Sequence, residues 1–269
     1  MAARFVIYYF LCYNIAMGQI ISVVNQKGGV GKTTTSLNLA AYLSKLGKFV
    51  LLVDLDPQSN ATSGLGISKE LDKGVYEVLT GPYSFREVIV DTNHDFYKLA
   101  PSTTSLAGAN VEFVNLDRRE FRLYDNLLDV KNDFDYIFID CPPSLGLLTV
   151  NGLVAADQIL IPVQAEYFAL EGLGQLMDTI GLIKDNIKPE LDIMGAVLTM
   201  YDSRFKLAND VLRELYRYFP NKIFRSVIPR NIRLSEAPSH GKTILEYDPK
   251  SKGAKAYERL AREFVYHTS

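Results

Sequence analysis

Short apolar runs recur along the chain, and most are followed by stretches whose apolar residues return every three or four positions. The runs at 20–25, 49–55, 135–140, 158–163, 193–199 and 223–228 read as strands. The intervening patterns at 33–46, 106–115, 118–130, 170–185, 206–219 and 251–266 read as helices. Because the strand runs are apolar at nearly every residue, both sheet faces must be covered. The expected fold is therefore α/β: a doubly wound, mostly parallel sheet with helices on both faces, in one domain spanning 17–269. Each crossover should be right-handed, and ligands should sit at the carboxyl ends of the strands. Residues 57–105 are the least regular stretch and read as loops and short helices on the rim of such a site.

The first 16 residues stand apart. Phe5 to Ala16 is apolar and aromatic, with Asn14 its one plainly polar member, like the core of a short signal peptide. Ala16-Met17-Gly18 makes a weak cleavage site that abuts the first strand, so 1–16 is expected to be an extension outside the core. Met17-Gly18 followed by Ser22 also fits a myristoylation pattern, but Ser22 falls inside the first predicted strand.

At 269 residues and 48% hydrophobic the chain can bury a sizeable core. No run reaches the roughly 18 apolar residues of a membrane-spanning helix. Cys12 and Cys141 have no metal-ligand spacing and no disulfide framework around them, which points to a reducing, cytoplasmic compartment. The net charge of −2 is unevenly spread: residues 201–269 hold 14 Lys and Arg against 8 Asp and Glu, leaving the rest of the chain acidic. A basic final quarter on an acidic protein points to a local anion-binding face, set against the plainer reading of solvated helix surfaces.

The densest chemistry lies at Lys27-Gly28-Gly29-Val30-Gly31-Lys32-Thr33-Thr34, between the first strand and the first helix. Glycines there let backbone N–H groups turn onto phosphate oxygens, and the helix N-terminus adds partial positive charge. Lys32 would reach the β- and γ-phosphates, and the Thr33 hydroxyl would ligate Mg²⁺. The ordinary phosphate loop has a glycine where Gln26 stands; here a second lysine, Lys27, precedes the first glycine. Asp54 and Asp56 end the second strand before Pro57, on one side of the chain, where two carboxylates need a cation or ordered water between them. The pair reads as water positioning and Mg²⁺ organisation for γ-phosphoryl transfer, with Asp54 a candidate metal residue. Asp140 ends a third apolar run and would hold Mg²⁺, directly or through water. Cys141 reads as a small packed residue.

Lys27 to Thr35, Val53 to Thr62, the run from Asp140 through Ser144, Pro162 to Gly172 and Pro229 to Ser239 together resemble ParA/Soj-type chromosome-partitioning ATPases, the deviant phosphate-loop family. The resemblance covers about 17–266; Ser59 replaces a usual glycine. It implies a P-loop ATPase with ATP and Mg²⁺ as cofactors and slow intrinsic turnover. Lys27 would cross an ATP-dependent homodimer to the partner's nucleotide, and Asp56 would orient water. Thr34 would add a hydroxyl to the α-phosphate, Pro229, Arg230 and Asn231 would lie by the adenine, and Glu166 to Glu171 would border the dimer interface. Arg204 and Arg233 fall where the family's DNA-contacting arginines stand, with Lys206, Arg213, Arg217, Arg225, Arg230 and Lys242 as possible helpers. The implied partners are non-specific double-stranded DNA and a DNA-bound activator of ParB type, placing the protein on the nucleoid.

Three other readings share the loop. A MinD-like membrane-associated positioning ATPase would need a basic amphipathic tail, whereas Leu260, Ala261, Phe264 and Val265 read as a core-packed final helix; the apolar N-terminus is the one feature that favours that reading. An electron-transfer ATPase of the nitrogenase iron-protein type would need cluster-binding cysteines that Cys12 and Cys141 do not supply. A metabolic kinase or ligase would need an acceptor-substrate signature, and none is visible.

Overall fold

A computed structural model describes residues 18–166, 171–204 and 206–268. In chain order they form β1 (Gln19–Val23), α1 (Lys32–Lys45), β2 (Val50–Asp54), α2 (Asn60–Gly64), α3 (Val75–Thr80), α4 (Phe85–Val88), β3 (Val90–Asp91) and β4 (Tyr97–Ala100). Then follow α5 (Ala109–Glu112), α6 (Arg122–Leu127), β5 (Tyr136–Asp140), α7 (Leu147–Ala155), β6 (Gln158–Gln164), α8 (Glu171–Asn186) and β7 (Asp192–Thr199). The last helices are α9 (Lys206–Tyr218), α10 (Ile232–Glu236), α11 (Ile244–Tyr247) and α12 (Lys252–Thr268). The apolar extension 1–16 and Cys12 lie outside the described residues, as does most of the expected interface stretch after Glu166.

The strands form one sheet in the order β3-β4-β2-β5-β1-β6-β7, parallel except where β3 runs against β4. Every residue of β2 and β5 is buried, as expected of strands roofed on both faces. Alternate residues feed two cores. Ile20, Leu51, Val53, Ile137 and Ile139 pack with the helices of one face. Ile21, Val23, Leu52 and Phe138 pack with α1 and α12 on the other. Each such side chain contributes about 1.5–3 kcal/mol on burial, so the central strands are held rigidly and their carboxyl ends form a firm base.

The expected doubly wound sheet is thus present, with local differences. Strand 223–228 is not formed; Ile223 makes only an isolated bridge to Ala196. The backbone N–H groups of Arg225 and Ser226 instead donate to the Glu263 carboxylate at 2.6 and 2.8 Å, which takes them off the sheet ladder. The stretch 106–115 is a broken mixture of 3₁₀ and α turns, and only Arg122–Leu127 of 118–130 is helical. Within 57–105 the short strands β3 and β4 extend the sheet. Helix α7 had no sequence signal because its residues, Leu147 to Ala155, have no polar face; most of them are buried. It lies so close to β5 that a Cβ on Gly152 would come within 2.7 Å of Cys141 Sγ, and the Gly152 carbonyl accepts the Ser22 hydroxyl at 2.6 Å. Cys141 is therefore packed, and burial pushes its thiol up to about 12.

Candidate active site

The strand order reverses about β1, and the loop after β1 lies in the crevice this creates. Asn25 opens that loop: its Nδ2 donates to the Pro162 carbonyl at 2.8 Å and its Oδ1 accepts the Lys27 N–H at 2.9 Å. Gly29 and Gly31 take φ of +74° and +88°, a left-handed conformation that side chains disfavour, which explains glycine at both places. Gly31 caps α1, so Lys32, Thr33 and Thr34 form its first turn, where unpaired N–H groups attract an anion. Lys32 is 6% exposed, and its Nζ donates back to the Lys27 carbonyl at 3.2 Å. Burial pushes its ammonium below the ordinary lysine value, opposed foremost by Asp140.

Two cavities meet here. One, of about 470 Å³, is lined by Gly28, Gly29, Lys32, Thr33, Asp56 and Asn60 among others. The second, of about 420 Å³, is lined by Thr199, Ile228, Pro229, Arg230, Asn231 and Tyr257 among others. Gly31, Thr34 and Met200 line both, so a charged basin opens into a less polar slot. Val30 and Lys27 line neither. Val30 is buried and its carbonyl accepts the Thr199 hydroxyl at 2.7 Å.

The acidic residues divide by their hydrogen bonds. Asp140 sits in register with Asp54, and both are fully buried. Asp140 Oδ1 accepts the Ser36 hydroxyl at 2.9 Å, while Oδ2 is buried and accepts no hydrogen bond among the described residues. Burial pushes the Asp140 carboxyl up to about 6; Thr33, Ser36 and Lys32 pull it the other way. Asp54 has both oxygens engaged: Oδ2 accepts the N–H and hydroxyl of Thr62 at 2.8 and 2.7 Å, and Oδ1 accepts the Asp56 N–H at 3.2 Å. Burial and then the Asp140 charge push Asp54 up to about 7. The Asp56 carboxylate, on the basin wall, accepts the Gln58 N–H at 2.9 Å, and its carbonyl accepts the Ser102 hydroxyl at 2.9 Å.

An orphaned carboxylate oxygen beside a threonine hydroxyl fits a hard divalent cation. Among the described residues no group of three or more His, Cys, Asp or Glu could hold an ion alone. A cation here would have to share ligand oxygens with a bound phosphate, which is how Mg²⁺ is commonly bound.

The basic residues lie on the surface near the slot. Arg204 is tied to Asp202 by contacts of 2.5 and 2.9 Å, and Arg233 to Glu236 at 2.8 Å and Asp248 at 3.7 Å. Arg230 reaches Glu166 at 3.0 Å. Asn231 caps α10 through the Arg233 N–H at 2.9 Å. Sequence reasoning missed Ser36, Thr62, Thr199, Met200 and Tyr257. For Ser36 a signal existed, since it lies one helical turn after Lys32 on the same face; for Thr199, only its place at a strand end.

The AAA domain family profile matches residues 18–193. The sporulation initiation inhibitor protein Soj of Bacillus subtilis is 53% identical over 92% of this chain and 98% of its own. The chromosome partitioning protein ParA of Myxococcus xanthus is 52% identical over 93% of this chain and 88% of its own. The chain belongs to the Soj/ParA family. A solved structure named as cobyrinic acid a,c-diamide synthase from Mycobacterium smegmatis, with bound ATP analogue and magnesium, is also similar. It superposes with a TM-score of 0.85 at 38% identity, over 94% of this chain and 96% of that one. That neighbour carries an amide-forming name, whereas the Soj/ParA relatives are more nearly identical over a similar span.

Proposed function

We propose that this family member is an ATP-hydrolysing DNA-partitioning switch. The observation that carries the reading is the junction at Gly31 and Thr34 of a lysine-lined phosphate basin with a base-sized slot. ATP would place its phosphates along Gly28–Thr34 and its adenine beside Pro229, Arg230 and Asn231. Thr33 and Asp140, with phosphate oxygens, would hold Mg²⁺, which neutralises charge on the β- and γ-phosphates. Lys32 would add a cation there, and Asp56 would orient the attacking water. Asp54 acts instead through Thr62, holding the loop that carries Asp56. Lys27 would reach the nucleotide of a second copy across an ATP-dependent homodimer, supplying charge to the γ-phosphoryl oxygens as an arginine finger does. Arg204 and Arg233, brought together with their copies, would bind DNA phosphates without reading sequence. A DNA-bound activator of ParB type would stimulate hydrolysis and release.

The MinD-like alternative finds no support in the last helix. Ala254, Ala256, Tyr257, Leu260, Ala261 and Phe264 of α12 are buried in the core, which leaves no apolar face for a bilayer.

The test measures binding to an arbitrary duplex with ATP, ADP or no nucleotide across a salt series, with liposomes in parallel. ATP-dependent, salt-sensitive DNA binding is expected. Lys32→Ala should lose ATP binding, and Asp56→Ala should keep ATP-dependent dimers while losing hydrolysis. Liposome binding without DNA binding would overturn the partition reading, and wild-type ATP affinity in Lys32→Ala would overturn the phosphate assignment.

A further inference from the structure

Thr199, the last residue of β7, is 2% exposed, and its hydroxyl donates to the Val30 carbonyl at 2.7 Å. In a trans peptide the C=O of one residue and the N–H of the next lie antiparallel in one plane. Holding the Val30 carbonyl on Thr199 therefore turns the Gly31 N–H away from β7. Gly31 lines both cavities, so its N–H is one of the backbone donors available to a phosphate. The Thr199 side chain also packs against Gly31: a Cβ there would meet Thr199 Cγ2 at 3.7 Å. Thr199 thus fixes the plane and the position of the peptide that closes the cradle.

The chain continues from this anchor through both halves of the site. Met200 adopts a left-handed φ of +51°, which a side-chain-bearing residue keeps only when its surroundings hold it. It lines both cavities. The Tyr201 N–H donates to the Ile228 carbonyl at 2.9 Å, and the Tyr201 carbonyl accepts the Arg230 N–H at 3.2 Å, which ties the run to the slot. Asp202 then holds Arg204. Four consecutive residues, Thr199 to Asp202, therefore touch the phosphate loop, the basin, the slot wall and a surface arginine.

We infer that Thr199 is a positioning residue: its hydroxyl sets the Val30–Gly31 peptide for phosphate and ties that peptide to the loop carrying Arg204. The first half concerns nucleotide binding alone; the second rests on the proposed DNA reading. Thr199→Val keeps the methyl against Gly31 and puts a second methyl in place of the hydroxyl, whereas Thr199→Ser keeps the hydroxyl and drops the methyl.

ATP affinity of Thr199→Val should fall about tenfold, the scale of one well-placed hydrogen bond. At saturating ATP, its preference for DNA over the ADP form should also shrink about tenfold. Thr199→Ser should recover both, a rescue that a purely packing role would not give. Folding of each variant is checked by circular dichroism, so a collapsed variant is not mistaken for a mispositioned loop. Unchanged ATP affinity in Thr199→Val, or a serine variant as impaired as the valine one, would overturn the positioning role. Reduced ATP affinity with a normal DNA response at saturating ATP would overturn the tie to Arg204. Should the unaltered protein bind DNA equally with ATP and ADP, the partition reading fails, while the ATP affinities still decide the first half.

Discussion

Asp140 and Asp54 face each other across neighbouring strands, fully buried, with carboxyls raised to about 6 and about 7. For Asp140 the rise corresponds to about 3 kcal/mol against the anion. The sign follows from linkage: a carboxyl whose folded pKa is raised favours folding while protonated and loses that contribution as pH rises through the folded value. Without nucleotide and metal, the ionised Asp140 therefore weakens the fold above about pH 6. Asp140→Asn should raise the melting temperature of the nucleotide-free protein at pH 8, by about 1–3 kcal/mol of stability, and the gain should shrink as pH falls below about 6 and be gone near pH 4. The same variant should lose Mg²⁺-dependent hydrolysis. A lower melting temperature at pH 8 would show that Asp140 serves the fold rather than a cation. The position of Asp140 was legible because an apolar run ending in a carboxylate is a pattern along the chain. The different hydrogen bonding of Asp54 and Asp140 was not, because it depends on Thr62 and Ser36, which only the fold brings alongside them.

The elements show the same contrast. Strands buried on both faces and the long helix after the phosphate loop were legible, since their periods are local. The edge of the sheet was not, because Glu263 on α12 captures the Ser226 N–H, which lies between the Phe224 and Ile228 N–H groups that do bond to β7, and the outward Arg225 N–H with it. Helix α7 escaped notice because a helix that is apolar on its partly buried side as well has no amphipathic period. Helix α12 itself is bound to the sheet by aromatic contacts. Phe264 lies with its ring centroid 5.2 Å from Tyr136 and 5.5 Å from Phe138, and stacks on Phe224 at 6.5 Å. Tyr257 on the same helix meets the Thr35 hydroxyl at 3.2 Å, just past the phosphate loop. Phe264→Ala should therefore cost about 3–5 kcal/mol in chemical denaturation, the usual price of emptying an aromatic core site. An unchanged unfolding midpoint would mean that α12 is not integral to the core and would return the membrane-surface reading to consideration.

At the scale of the molecule, charge separates what the fold joins. The final quarter is basic and the remainder acidic, yet both arginines singled out there are paired to carboxylates of the same face. Exposed pairs of this kind contribute little to stability, so exchanging Asp202 or Glu236 for a DNA phosphate costs little. A single copy presents two such arginines; a dimer presents four. Each phosphate neutralised on duplex DNA steepens the dependence of log K on log salt by about 0.9, so four contacts account for a slope of about 3–4. Arg204→Glu combined with Arg233→Glu should make the ATP-state slope shallower by about that amount, while ATP-dependent dimerisation, followed by sedimentation, stays intact. The salt series is the decisive readout, because a folding defect lowers the active fraction without changing the slope. A double variant with the unaltered slope would place the DNA face elsewhere on the molecule. Loss of the dimer together with the slope would instead place Arg204 and Arg233 at the subunit contact.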